Sequence, residues 1–242
     1  MRRTGTIAIV LAGAMLLPAI ADAGDFAQFR PIGFSSDGAV FAYEEFGIQD
    51  GSGSAYSNIY LVDTVTDAFL PGTPIRVQAQ ENDSSLRRVR AESAAKASPF
   101  VARYSLNDNP GQLVAFNPVS EIGPEPHSLR YDAFPAEPRV GQSYALRLTE
   151  ISAPVPGPCK DFLEKGVGFR LEFTEKAGKP ASETVYTDQR IPESRGCPTG
   201  YRIAGVVTYH GAPQAVHMAL VMVLRLGFEG PDGRWLAVPL KP

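Results

Sequence analysis

One stretch restricts the fold more than any other. From Val216 to Leu226 the chain alternates between two apolar sets: Val216, Met218, Leu220, Met222, Leu224 and Leu226 on one side, His217, Ala219, Val221, Val223 and Arg225 on the other. Period-two alternation defines a β-strand. A strand apolar on both faces is central in its sheet, and the large-residue face points into the core. The charged Arg225 then needs a carboxylate partner, because a buried charge is costly without one. The preceding run, Tyr201 to His210, joins this strand through Gly211-Ala212-Pro213-Gln214. Tyr201, Ile203, Val207 and Tyr209 are expected on one face of it, with Arg202, Thr208 and His210 opposite. A two-residue turn at Ala212-Pro213 sets Thr208 against His217 and leaves His210 diagonal to it on the same face.

Short strands and turn residues fill the rest of the chain, which carries 23 Gly and 21 Pro. Ile32–Ser35, Ala39–Phe46, Asn58–Asp63 and a strand from Ala68 read as a four-stranded antiparallel meander. In Ala39–Phe46, Val40 and Ala42 face one way and Phe41 and Tyr43 the other, so both faces are buried. Residues 84–97 are rich in Ala, Arg, Glu and Lys and read as an accessory α-helix. Leu86, Val89 and Ala94 give it a weak apolar stripe, which predicts a surface position. Its Arg87, Arg88 and Arg90 are expected on a solvated face. Gln112–Phe116, Ser128–Phe134, Gln142–Ile151, Val167–Thr174 and Glu183–Gln189 are further strands. The fold class is mainly β: antiparallel sheets, arranged as a sandwich or as a small degenerate propeller.

The amino terminus has the pattern of an export signal. Arg2 and Arg3 precede an apolar run from Ile7 to Ile20, and Ala21-Asp22-Ala23 offers small residues at the positions a signal peptidase reads. Cleavage is expected after Ala23, leaving one domain, residues 24–242, in the periplasm or outside the cell. No later segment is long and apolar enough to cross a bilayer; Ala215–Phe228 is short and contains Arg225. Removing residues 1–23 takes two Arg and one Asp from the 23 basic and 26 acidic side chains and leaves a net charge of −4. Dispersed, mildly acidic charge gives no electrostatic case for nucleic acid.

An oxidising compartment favours a bridge between the two cysteines, Cys159 and Cys197. They flank the hairpin Val167–Thr174 and Glu183–Gln189 by about equal distances, so a disulfide staples its base. Closing that loop stabilises the fold by about 4 kcal/mol in the chain-entropy description. The pair lacks the C-x-x-C spacing of redox sites.

No nucleophile elbow, phosphate loop or metal-ligand spacing occurs, so no catalytic, cofactor-binding or metal residue is assigned. His210 and His217 are the only candidates for a metal or hydrolytic site, on the strength of their expected proximity. His127 lies in a Pro-rich loop without an evident partner. Glu44, Glu45 and Asp50 do not meet the spacing of a calcium loop. Two readings of function follow: a non-catalytic exported module that binds an envelope protein or glycan, and an envelope hydrolase or metal-binding protein built on scattered polar residues.

Gly33-Phe34-Ser35-Ser36-Asp37-Gly38, Phe41-Ala42-Tyr43 and Ile59-Tyr60-Leu61-Val62-Asp63 resemble one repeat of a TolB-type propeller. A related phrase, Gly227-Phe228-Glu229-Gly230-Pro231-Asp232-Gly233-Arg234-Trp235, closes the chain. Each copy reads as an Asp-Gly turn between buried strands, and the two are expected to touch or to share a sheet. With Glu45–Gly53 and Pro71-Gly72-Thr73-Pro74-Ile75, these segments resemble a family of bacterial predicted secreted proteins of unknown function. That resemblance implies export and carries no active residue.

Overall fold

A computed structural model describes residues 24–228 and 230–242; the export signal expected at 1–23 lies outside them. The chain is mainly β, with three antiparallel sheets and one α-helix, and it closes neither a barrel nor a propeller. Among the described residues, no helix is long and apolar enough to cross a membrane.

The N-terminal sheet contains β1 (Gln28–Phe34), β2 (Val40–Ile48) and β3 (Ala55–Asp63), paired in that order. Both β4 (Ala68–Phe69) and β5 (Ile75–Gln78) pair with the outer edge of β3, at opposite ends of it. The β1–β2 turn is built by side chains. Asp37 Oδ1 accepts from Ser35 Oγ at 2.5 Å and from Ala39 N at 3.0 Å, and Gly38 takes φ +72°. Glycine reaches that region without a Cβ penalty.

Helix α1 (Leu86–Arg103) covers one face of this sheet. It is longer than the sequence predicts and continues through Pro99. Proline leaves the carbonyl four residues back without its donor. Ser98 Oγ supplies one, donating to Ala95 O at 2.8 Å. The buried face runs through Val89, Ser93 and Ala97, whereas Ala94 is exposed. The helix is therefore a packed layer. Its stripe is weak in apolar content because a serine sits in the middle, and Ser93 Oγ lies 2.6 Å from Ser57 Oγ of β3.

The middle sheet has the order β13–β12–β11–β6, from β6 (Gln112–Phe116), β11 (Pro198–Tyr209), β12 (Val216–Leu226) and β13 (Pro231–Leu240). The outer sheet has the order β10–β9–β8–β7, from β7 (Ser128–Asp132), β8 (Ser143–Ala153), β9 (Gly166–Lys176) and β10 (Lys179–Thr187). Cys159 and Cys197 form a disulfide that joins the chain before β9 to the chain after β10, as the spacing predicts.

Strand β12 explains the stacking. Met218, Leu220 and Met222 pack with Phe41, Tyr43 and Trp235 against the N-terminal sheet. Ala219, Val221 and Val223 pack with Phe169, Leu171 and Phe173 of the outer sheet. Both faces are thus core, and the order of layers is outer sheet, middle sheet, N-terminal sheet, helix. Each large side chain buried in this way contributes about 1.5–3 kcal/mol.

Strand β11 departs from the predicted face assignment. A bulge between Ile203 and Gly205 changes the parity. Tyr201, Ile203 and Val206 face the outer sheet, while Ala204, Val207 and Tyr209 face the N-terminal sheet. Thr208 consequently lies opposite in face to Arg202 and donates to Ala133 O at 3.2 Å.

The two related segments touch, but they belong to different sheets. Tyr43 Oη donates to Trp235 O at 3.1 Å. Their turns are not equivalent: Asp37-Gly38 forms the β1–β2 turn, whereas Asp232-Gly233 lies inside β13. The likeness is one of sequence phrase and buried strand, and the shared Asp-Gly turn predicted for both copies is confined to the first.

Candidate functional site

A cleft of about 490 Å³ opens where the three sheets meet. Its floor comes from the face of β3 carrying Tyr56, Asn58 and Tyr60, one wall from the edge strand β13, and the other from the segment Pro192–Arg195 that follows β10. Antiparallel alternation places Tyr56, Asn58 and Tyr60 on one side. On β5, Arg76 pairs in register with Asn58 and so joins the same face.

Glu45 anchors the floor. Its carboxylate is 1% exposed and accepts from Tyr60 Oη at 2.7 Å, Asn58 Nδ2 at 3.0 Å and Trp235 N at 2.9 Å. Three donors compensate the burial of this charge, and the Trp235 bond also covers the free edge of β13. Tyr60 stacks on Tyr43 with centroids 4.8 Å apart and meets Phe69 at 5.5 Å. Burial, reinforced by the Glu45 charge, holds the Tyr60 hydroxyl well above its ordinary pKa.

Adjacent Glu44 points to the other face. It receives Arg90 at 2.9 Å through both Nε and Nη2, and Arg30 Nε at 2.8 Å. Its carboxyl is shifted down overall: burial is the largest influence and acts upward, but the Arg90 and Ser57 hydrogen bonds and the two guanidinium charges outweigh it. Arg90 is therefore a bracket between helix and sheet, which the solvated-face expectation missed. The opposed directions of Glu44 and Glu45 separate the carboxylates that sequence proximity suggests for calcium. No group of three His, Cys, Asp or Glu side chains suited to a metal ion occurs among the described residues.

Four arginines line the cleft. Arg234 is held by Asp25 at 2.6 Å and lies over the Tyr56 ring at 4.9 Å. Burial, only partly offset by Arg234, raises the Asp25 carboxyl pKa. Arg195 is held by Asp188 at 2.6 Å and donates to Tyr186 Oη at 2.5 Å. Arg225 differs: its nearest carboxylate among the described residues is Asp232, 3.9 Å away and also 3.6 Å from Arg234. Burial and the neighbouring Arg234 charge lower the Arg225 pKa. The partner expected for it is thus distant and shared. Arg76 makes no ion pair among the described residues. Asp67 lies within the concavity with its surface still open to solvent; the protein around it pushes its pKa up to about 6, against the lowering effect of Arg195.

His210 and His217 are brought together as the register predicts. Thr208 pairs with His217, and the imidazole centroids are 5.8 Å apart. They lie away from the cleft. His210 stacks on Phe134 at 3.9 Å and its Nε2 donates to Ala133 O at 3.0 Å. His217 is sealed, 0% exposed, with Nδ1 2.9 Å from Tyr131 Oη. Burial and the His210 charge push its pKa down to about 3. His127, without an evident partner in the sequence, donates through Nε2 to Tyr201 O at 3.0 Å.

Among the described residues, no histidine or cysteine lines the cleft. Fold and site together define a layered antiparallel β protein with a recessed, aromatic and arginine-lined cleft. The chain belongs to the family described as predicted secreted protein (DUF2259), whose model matches residues 42–241. No curated protein and no solved structure matches the chain significantly.

Proposed function

We propose that this is an exported, non-catalytic binding module of the cell envelope, released by cleavage after Ala23 and working in the periplasm or outside the cell as a single domain, residues 24–242. The cleft is its recognition site. One observation carries the reading: the cleft joins aromatic faces to polar groups, most of which are already fixed by hydrogen bonds within the protein. Glu45, Arg195 and Arg234 have their partners. Groups held in this way shape and orient a ligand; a proton-transferring group must exchange partners with the substrate. The family description and the Cys159–Cys197 bridge agree with an extracytoplasmic setting.

The test compares wild-type protein with Ala68→Trp, which fills the cleft mouth from an exposed position. Immobilised wild-type protein should retain a specific glycan or protein from a soluble envelope extract, and Ala68→Trp should not. Equal retention by both removes the cleft from the proposal. Mass spectrometry of exported protein checks cleavage, and an intact N-terminus would contradict it.

A further inference from the structure

We infer that the cleft receives an anionic group, a carboxylate or phosphate carried on an apolar or planar body, with the anion between Arg76 and Arg225 and the body against Tyr60 and Phe69. This rests on reading the same cleft as a binding site. The argument begins with the cations. Arg195 and Arg234 each have a carboxylate at 2.6 Å. For Arg225 the single carboxylate within 4 Å among the described residues is Asp232. That carboxylate also faces Arg234 at 3.6 Å and accepts from Asp25 N at 3.2 Å. Among the described residues, Arg225 therefore brings a recessed positive charge with one distant, shared carboxylate, and a second cation, Arg76, reaches the same cavity from β5.

Both arginines line the cleft with Tyr60: Arg76 pairs in register with Asn58, two residues from Tyr60 on the same face of β3, and Arg225 enters from β12. Guanidinium groups pair with carboxylate and phosphate through parallel N–H donors. Beside them, Tyr60 and Phe69 form an apolar surface, with Phe69 37% exposed. The Glu45 charge also reaches Arg225, but its oxygens are already engaged by three donors, and the cleft lining still carries four arginines against the two carboxylates Glu45 and Asp67. Arg225 is itself positioned by the chain after the hairpin: it lies against Gly196, where an added Cβ would be 3.6 Å from its Nη1. Gly196 precedes Cys197, so the disulfide fixes the surface that directs Arg225.

Trp235 is the only tryptophan in the chain and lines the cleft, so its fluorescence reports occupancy. Benzoate, phenyl phosphate, inorganic phosphate and benzyl alcohol serve as probes. At least one aromatic anion should give a saturable change, at least tenfold tighter than benzyl alcohol and weakened by added salt. If benzoate binds and phenyl phosphate does not, the group is a carboxylate; the reverse assigns a phosphate ester. Arg225→Gln and Arg76→Gln should each weaken the anion by tenfold or more and leave benzyl alcohol unchanged. Arg76 is exposed, so its variant keeps the fold if that of the half-buried Arg225 does not. No saturable change with either aromatic anion, or equal affinity for benzyl alcohol, overturns the inference. In that case, envelope retention that Ala68→Trp still abolishes would leave the binding reading standing.

Discussion

Acidification should unfold this protein in part through one sealed histidine. His217 enters the core from β12, with Tyr131 and Tyr144 of the outer sheet meeting its ring at 5.6 and 5.0 Å. Its Nδ1 is satisfied by Tyr131, and its buried Nε2 has no partner. The imidazolium would need two acceptors where the fold offers one, and the neighbouring His210 ring, 5.8 Å away, already donates its Nε2 hydrogen to Ala133 O. The folded value lies near 3, against an ordinary value of 6.5. The unfolded chain therefore binds a proton that the native state refuses. Stability is fully present above about pH 6.5 and is lost as pH falls toward 3. Between pH 7 and pH 5 the linkage is about 2 kcal/mol. For a domain stable by roughly 5–15 kcal/mol, that is readily measured. The experiment is urea unfolding of oxidised wild-type protein and His217→Phe at both pH values. The variant removes the orphaned nitrogen but also deprives Tyr131 of its partner, so its neutral-pH stability should lie within about 1–2 kcal/mol of wild type. Other titrating groups contribute equally to both proteins. Wild type should lose about 2 kcal/mol more than the variant on going from pH 7 to pH 5. Equal losses, or a larger loss in the variant, would refute the reasoning.

Four further variants probe other parts of the fold. Replacing Cys159 and Cys197 together by Ser should cost about 4 kcal/mol in urea unfolding, given their separation of 38 residues; a loss below about 1 kcal/mol would contradict the chain-entropy account. Gly33→Ala should cost more than about 3 kcal/mol in thermal unfolding, because its Cβ would stand 1.9 Å from Leu106 O at φ +150°. Gly178→Ala, at φ +73° with open space around it, should cost only about 1 kcal/mol. Arg234→Met leaves the Asp25 carboxylate buried without its ion partner and should destabilise by about 3–5 kcal/mol at pH 7. The Asp25 pKa is already raised, so its protonation favours the native state as pH falls through the folded value; the defect should shrink between pH 7 and pH 4, and a constant defect would count against it.

Strand positions were legible because alternation is local. The β6 bounds and the Thr208–His217 register follow from parity, although the two-residue turn expected at Ala212-Pro213 is instead a six-residue loop, residues 210–215, between β11 and β12. Parity fails where a bulge intervenes, as between Ile203 and Gly205, and nothing in Tyr201–Tyr209 marks that bulge except a glycine among branched residues. The helix stripe was misplaced for a related reason. Ser93 is polar but buried, and its hydroxyl pairs with Ser57 across the interface. In β12 the sequence puts the large-residue face, and not the Ala and Val face, into the core. The Ala and Val face receives Phe169 and Phe173 of the outer sheet, so small residues there mark a third layer.

The cleft was not legible at all, since it is assembled from distant segments. Glu45 meets Trp235 across 190 positions, and no spacing rule spans such a pair. Consecutive acids inside a strand buried on both faces were nevertheless a signal. Two carboxylates in β2 must each find donors in a different neighbouring layer, and they do: Glu44 in the helix and Glu45 in β3 and β13. Such residues fix how layers are placed relative to one another, because the hydrogen bonds require one alignment while apolar contact tolerates several. The disulfide acts in the same way at the opposite wall. Its stapling of the β9–β10 hairpin was readable from spacing, but the consequence for the cleft required the fold. Arg195 and Gly196 immediately precede Cys197, so the covalent tie that closes the hairpin also holds one cleft arginine and the surface against which another lies. Reduction should therefore disturb ligand contact at the cleft before it disturbs the core between the middle and N-terminal sheets, which Trp235 and Met222 hold without it.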